Sequence, residues 1–264
     1  MSTFYFPFGQ PLTKVQQSDK TPKTTFILGV YASAVYAKWV KKEGIDEVKA
    51  LAVASEPEIF WTGSNVAQII AAIEIPEELG KLTVPTNANY NGPSGRALDN
   101  LYLKPLGLNR NSVWLCDLVP ESRKNEGQRK AIRREYKEEI SKYNLSPATV
   151  PDYDKRELNL ESRREEIIAE LEASQATTII LLGDLPITWS SPYHEKKFTK
   201  LSQFGETNET YGKEYKLNIN NKEYTAIALC HTKQADGVAM SNEKWRLLHE
   251  NWVKEKNAHR EVKK

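Results

Sequence analysis

The chain has 264 residues, 39% hydrophobic and 27% charged, with a net charge of +2. That length suits one large domain or two small ones, and the composition is that of an ordinary globular protein. A near-neutral charge does not by itself predict nucleic acid. Two isolated cysteines, Cys116 and Cys230, exclude a disulfide framework and a cysteine-based metal site. The expected setting is a reducing cytoplasm, with no metal and no cofactor.

We read residues 1–264 as a single domain, with residues 1–23 as an N-terminal extension and 253–264 as a basic tail. The start, "MSTFYFPFGQPL", lacks the charged-then-apolar order of a signal peptide. No apolar run is long enough to span a membrane. The first apolar run, "TTFILGVY", ends at Tyr31 and predicts a strand. "SAVYAKWVKKEG" follows with apolar residues at helical spacing and predicts a helix stopped by Gly44. "VKALAVASEP" is a second strand-like run ending in Ser55-Glu56-Pro57.

The loop "NANYNGPSGRALDNLYLKPLG" opens a helix at Gly-Pro-Ser-Gly. Its free backbone N–H groups, the hydroxyl of Ser94 and the charge of Arg96 suit a phosphate. "SVWLCDLVP" predicts a strand carrying Asp117. "GQRKAIRREYKEEISKY" and "ESRREEIIAELEAS" predict charged amphipathic helices. "TTIILLGDLP" predicts a strand ending in Gly183-Asp184, and "YTAIALCHTK" one ending at His231. "NEKWRLLHENWVKEK" predicts a closing helix, capped by Asn242, with Trp245, Leu248 and Trp252 on one face. The basic stretches around residues 122–137 and 254–264 read equally as solvated helix faces or phosphate-facing surfaces.

Continuous apolar strands alternating with helices predict an α/β fold, a three-layer α/β/α sandwich around a mainly parallel sheet. Ligands of such sheets bind beyond the carboxyl ends of the strands. Tyr31, Asp117, Asp184 and His231 are expected along that rim. Each has a structural alternative: a core histidine for His231, a cap for Asp184, a turn tie for Asp117 and a packed ring for Tyr31.

The order of these pieces resembles the uracil-DNA glycosylase superfamily, roughly from Phe26 to Trp252. "LGVYASA" is similar to the family's first motif, and "GPSGRALDNLYLKPLG" to its Pro-Ser phosphate loop. "VWLCDLVP" resembles the strand whose terminal Asn reads the uracil edge. "IILLGDLP" resembles the next core strand, and "LCHTKQADG" the histidine motif. The resemblance implies DNA, or a nucleotide or nucleobase, as partner. It implies His231 as the catalytic group, Tyr31 and Asp117 as base-binding residues, and Ser94, Arg96 and Lys233 on phosphate. Arg123 and Lys124 are further phosphate candidates.

The chain also departs from the family. Tyr31 stands where a water-positioning carboxylate or amide is usual, and Ala32 and Thr232 replace prolines. Asp117 replaces the reading Asn; ionised it only accepts hydrogen bonds, and protonated it can donate to O4 as an amide does. Two functions are therefore expected in turn: a glycosylase that hydrolyses the N-glycosidic bond of an extruded base, or a weakly active or inactive binding module of the same fold. A nucleotide-using enzyme is disfavoured by the absence of a phosphate-binding glycine fingerprint.

Overall fold

The structure is a computed structural model and describes residues 3–42, 47–237 and 243–261. The chain divides into two compact units. The first comprises Met1–Val15, Tyr31–Pro93 and Pro120–Asp154; the second comprises Gln16–Val30, Ser94–Val119 and Lys155–Lys264. The protein is α/β, with a mixed, mostly parallel sheet of five strands in the second unit.

The strands are β1 (Thr25–Tyr31), β2 (Ala34–Val40), β3 (Glu47–Ser55), β4 (Lys81–Thr83), β5 (Val113–Val119), β6 (Thr178–Leu182), β7 (Glu214–Ile219) and β8 (Lys222–Leu229). The larger sheet has the order β5-β1-β6-β8-β7. β1, β6 and β8 are mutually parallel, and β7 runs antiparallel to β8. All seven residues of β5 are buried, as are Ile27 and Leu28 of β1 and Ile180 and Leu181 of β6. Burying such side chains contributes about 1.5–3 kcal/mol each, which is why these runs carry no polar alternation.

The helix Glu161–Ser174 buries Arg163, Ile167, Leu171 and Ser174, a stripe at helical spacing, and packs on β5. In the helix Glu243–Glu261, Trp245, Leu248 and Trp252 are all buried, as the spacing predicts. The expected cap Asn242 and the stop Gly44 lie outside the described residues. β7 and β8 form a hairpin turned by Asn220 and Asn221, both at positive φ (51° and 61°). Two such residues give the turn whose twist matches the strands.

The first unit holds an antiparallel sheet of order β3-β2-β4. Here the sequence expectation fails: "SAVYAKWVKKEG" is not a helix but contains β2. Val35, Ala37 and Trp39 are buried while Tyr36, Lys38 and Val40 are partly exposed, a period of two. Trp39 fixes the register further by donating its indole N–H to the carbonyl of Leu79 at 2.7 Å. "VKALAVASEP" does form a strand, β3. Gln128, from the first turns of a helical run that begins at Glu126, lies along β3. It accepts from Ala52 N at 2.8 Å and donates to Ala50 O at 3.1 Å, as a neighbouring strand would.

Candidate functional site

Within the second unit, the parallel strands β6 and β8 end side by side. β6 stops at Leu182, and Gly183 donates its N–H to the carbonyl of Leu229, the last residue of β8, at 2.8 Å. Gly183 has φ +88°, and a Cβ there would come within 3.3 Å of the Cβ of His231. Only glycine satisfies both conditions without strain. His231 therefore lies against the end of β6 at the carboxyl edge of the sheet.

His231 is the cap of the short helix Thr232–Ala235. Its Nδ1 accepts from Lys233 N at 3.2 Å, and its own N–H donates to Gln234 Oε1 at 3.1 Å. Burial, aided by the charge of Lys233, lowers its pKa to about 4. The ring is thus neutral near pH 7. Because Nδ1 is an acceptor, the single ring proton belongs on Nε2. No hydrogen-bond partner takes that proton among the described residues. The result is a neutral, oriented N–H donor with no partner among the described residues.

Asp117 is not at a strand end, as expected, but is the fifth residue of β5 and 4% exposed. The run stays in the sheet through Leu118 and Val119 because both are apolar and buried. Trp114 and Cys116 meet Glu170 and Arg163 of the helix that covers β5. Alternation then turns Asp117 to the opposite face. Its carboxyl has no hydrogen-bond partner among the described residues. Burial raises its pKa to about 7, with Arg163 opposing and Glu170 reinforcing the rise. Near neutrality it exists as a mixture of donor-bearing acid and acceptor-only carboxylate.

Arg163 was not singled out in the sequence. It donates to the carbonyls of Asp117 (2.5 Å) and Leu118 (3.0 Å) and pairs with Glu166 (2.9 Å) and Glu170 (3.6 Å). The one available signal was its place on the apolar stripe of its helix. Strand order also separates the two principal candidates: β1 and β6 lie between β5 and β8. Three strand spacings amount to roughly 14 Å. For a single base to touch both Asp117 and His231, their side chains must reach toward one another across that backbone interval.

Of the phosphate candidates, Ser94 and Arg96 fall in the first turn of the helix Pro93–Ala97, both partly buried, and Lys233 is exposed. Arg123 and Lys124 belong to the first unit, paired with Glu121 at 3.4 Å and Asp152 at 3.7 Å. Asp184 is exposed and ties down a loop, accepting from Leu201 N at 2.8 Å.

In the first unit, the ring of Tyr31 packs against that of Tyr153, centroids 5.7 Å apart, and burial raises its pKa, so it remains a phenol. The turn after it is not short of a carboxylate. Glu56, buried at the end of β3, accepts from Ser33 N at 2.7 Å, and the Ser122 hydroxyl donates to the carbonyl of Ser33. Burial pushes the Tyr36 phenol up to about 12, with Tyr31 and then Glu56 adding to the rise. A small, mainly apolar hollow in this unit, lined by Phe6, Tyr36, Ile132 and Val150 among others, includes none of the predicted base- or phosphate-binding residues except Arg123 and Lys124.

No helix among the described residues is long and apolar enough to cross a membrane. Among the same residues no cluster of three or more His, Cys, Asp or Glu side chains suits a metal. No protein-family model matches the chain, and no curated protein does.

Proposed function

We propose that the protein recognises a nucleobase of DNA and stabilises it as the leaving group in hydrolysis of its N-glycosidic bond. The observation that carries this reading is His231: neutral, capping the helix that follows, and presenting an Nε2–H that has no partner among the described residues at the carboxyl edge of a parallel sheet. When the bond between C1′ and the base nitrogen breaks, its electron pair passes to the base ring. A fixed donor at a base carbonyl stabilises that charge in the transition state more than in the ground state. A neutral imidazole suits the task, since it offers a donor without fixing a protonated ring on the substrate. The ordered set of motifs, and the placement of His231 after a core parallel strand, support assignment to the uracil-DNA glycosylase superfamily.

Asp117 is assigned to base recognition because its carboxyl has no hydrogen-bond partner among the described residues. A carboxyl on a largely buried residue with no partner among the described residues is a reason to look for a ligand. Ser94, Arg96 and Lys233 are assigned to phosphate. The alternative, a binding module with little turnover, is favoured by Tyr31, which stands where the resemblance puts the water-positioning group and keeps its proton.

The deciding experiment is incubation with duplex and single-stranded oligonucleotides carrying uracil, hypoxanthine, xanthine or oxidised guanine, followed by scission at abasic sites. Abasic sites with wild-type protein and about 10²-fold fewer with His231→Ala are expected for the enzyme. Tight, salt-sensitive binding without abasic sites selects the module. Absence of binding at low salt refutes both.

A further inference from the structure

We infer that Tyr211 and His249 are positioning residues that hold His231 in register through the backbone of Cys230. The inference rests on the reading of His231 given above. β8 ends at Leu229, so the N–H and carbonyl of Cys230 leave the sheet as it turns toward His231. Buried backbone groups at such an exit need partners. Here both partners are phenols. Tyr211 Oη accepts from Cys230 N at 2.9 Å, and Tyr102 Oη donates to the Cys230 carbonyl at 2.7 Å.

The phenols are themselves fixed. Tyr211 Oη lies 2.8 Å from His249 Nδ1, and His249 Nε2 lies 2.9 Å from the carbonyl of Leu101. A carbonyl only accepts, so His249 carries its proton on Nε2. Its Nδ1 must then accept from the Tyr211 hydroxyl, whose oxygen is left to accept from Cys230. Every donor and acceptor in this path has one consistent direction. Leu101 and Tyr102 are neighbours in one helical segment, so the path closes on itself. Tyr102, Tyr211, Cys230 and His249 are each at most 2% exposed. Tyr102 and Trp252 flank the His249 ring, with centroids at 4.2 and 5.2 Å. Burial holds His249 neutral, its pKa near 4.

His231 is consequently clamped from both sides. Lys233 N and Gln234 Oε1 hold it from the helix that follows, and the two phenols hold the residue before it. A general fold-stabilising cluster would not need to place both of its hydroxyls on the single residue preceding the candidate donor. Catalytic groups lose about 10²-fold in rate from displacements near 1 Å, so a clamp of this kind has a kinetic signature.

The test uses the full chain with Tyr211→Phe, which keeps the ring and removes the hydroxyl. Its readouts are the imidazole nitrogen shifts and titration of His231, and single-turnover base excision. The expected results are movement of the His231 Nε2–H signal and of its pKa toward the ordinary 6.5, with kcat about 10- to 100-fold lower and KM little changed. In a His231→Ala background, Tyr211→Phe should lower kcat no further. An unchanged His231 spectrum in a folded Tyr211→Phe protein overturns the inference, as does an equal rate loss in both backgrounds. Should Tyr211→Phe not fold, Tyr102→Phe releases the Cys230 carbonyl instead, and the same outcomes decide. Movement of the His231 signals in a protein that excises no base would sustain the clamp and refute the excision reading.

Discussion

Replacing Asp117 with Asn separates the chemistry of this side chain from its shape. The folded protein moves its pKa from the ordinary 3.8 to about 7, because burial penalises the charged form. A raised pKa means that the folded state keeps a proton the unfolded chain has released. Between about pH 4 and about pH 7, Asp117 therefore lowers wild-type stability as pH rises, by about 1.36 kcal/mol per unit or about 4 kcal/mol over the window. Above about pH 7 both states are ionised and the slope ends. His231 and His249 titrate the opposite way: with folded pKa values near 4, they add stability as pH rises toward 6.5. Those contributions are common to wild type and variant and cancel in the difference. Denaturant unfolding of both proteins at several pH values is the assay. The variant should gain on wild type by about 2–3 kcal/mol between about pH 5 and about pH 9. Base preference should move with it. Wild type should favour uracil-like edges below pH 7, where the acid can donate to O4, whereas the amide should favour them at every pH. A difference in stability that is flat with pH would refute the raised pKa. An unchanged base profile alongside it would return Asp117 to a purely structural role.

Gly183→Ala should cost about 1 kcal/mol or more from the positive φ alone, and should shift the His231 imidazole resonances, since the new Cβ meets the His231 Cβ. Arg163→Met should raise the Asp117 pKa further by removing the opposing charge, which carboxyl NMR of a labelled aspartate will show; a fall would contradict the assignment of Arg163 as its counter-charge. Glu56→Ala leaves Ser33 N without its acceptor and should cost about 1–3 kcal/mol in denaturant unfolding, whereas Glu56→Gln keeps an acceptor oxygen and should cost much less. Lys233→Ala and Arg96→Ala should weaken oligonucleotide binding about equally for all sequences and flatten the dependence of log K on log salt by about one unit each; base-selective losses would speak for contacts to the base instead.

The strands of the larger sheet were readable because burial on both faces leaves no room for polar residues, so β1, β5, β6 and β8 appear as unbroken apolar runs. The helices Glu161–Ser174 and Glu243–Glu261 were readable from their stripes. β2 was not, because Ala34 and Val40 break the alternation of Val35, Ala37 and Trp39 and make the run resemble helical spacing. Pairing with β3 and β4 decides between strand and helix, and that pairing is nonlocal. β7 escaped notice because its exposed face is charged and only Leu217 and Ile219 are buried. The position of His231 just beyond a core strand was legible from its apolar run. Its tautomer was not, since the Lys233 amide that fixes it becomes a donor only once the helix after it forms. Arg163, Glu56, Tyr211 and His249 act on residues far away in the chain, and no local spacing marks them.

Each of the two units is assembled from three separate stretches of chain, and the stretches alternate along the sequence. During synthesis the strand β1 emerges long before its partner β6, and β6 before β8. The parallel pairs β1–β6 and β6–β8 thus cannot form until residues beyond 178 are available. Residues 24–30, an apolar segment of high β propensity, have no neighbour in the larger sheet until β5 emerges at residues 113–119, and only that one until β6 follows. The same alternation means that no single cut of the chain yields either unit whole. Expression of one alone would require rejoining its three pieces, and loop closures of that length favour slow folding over fast.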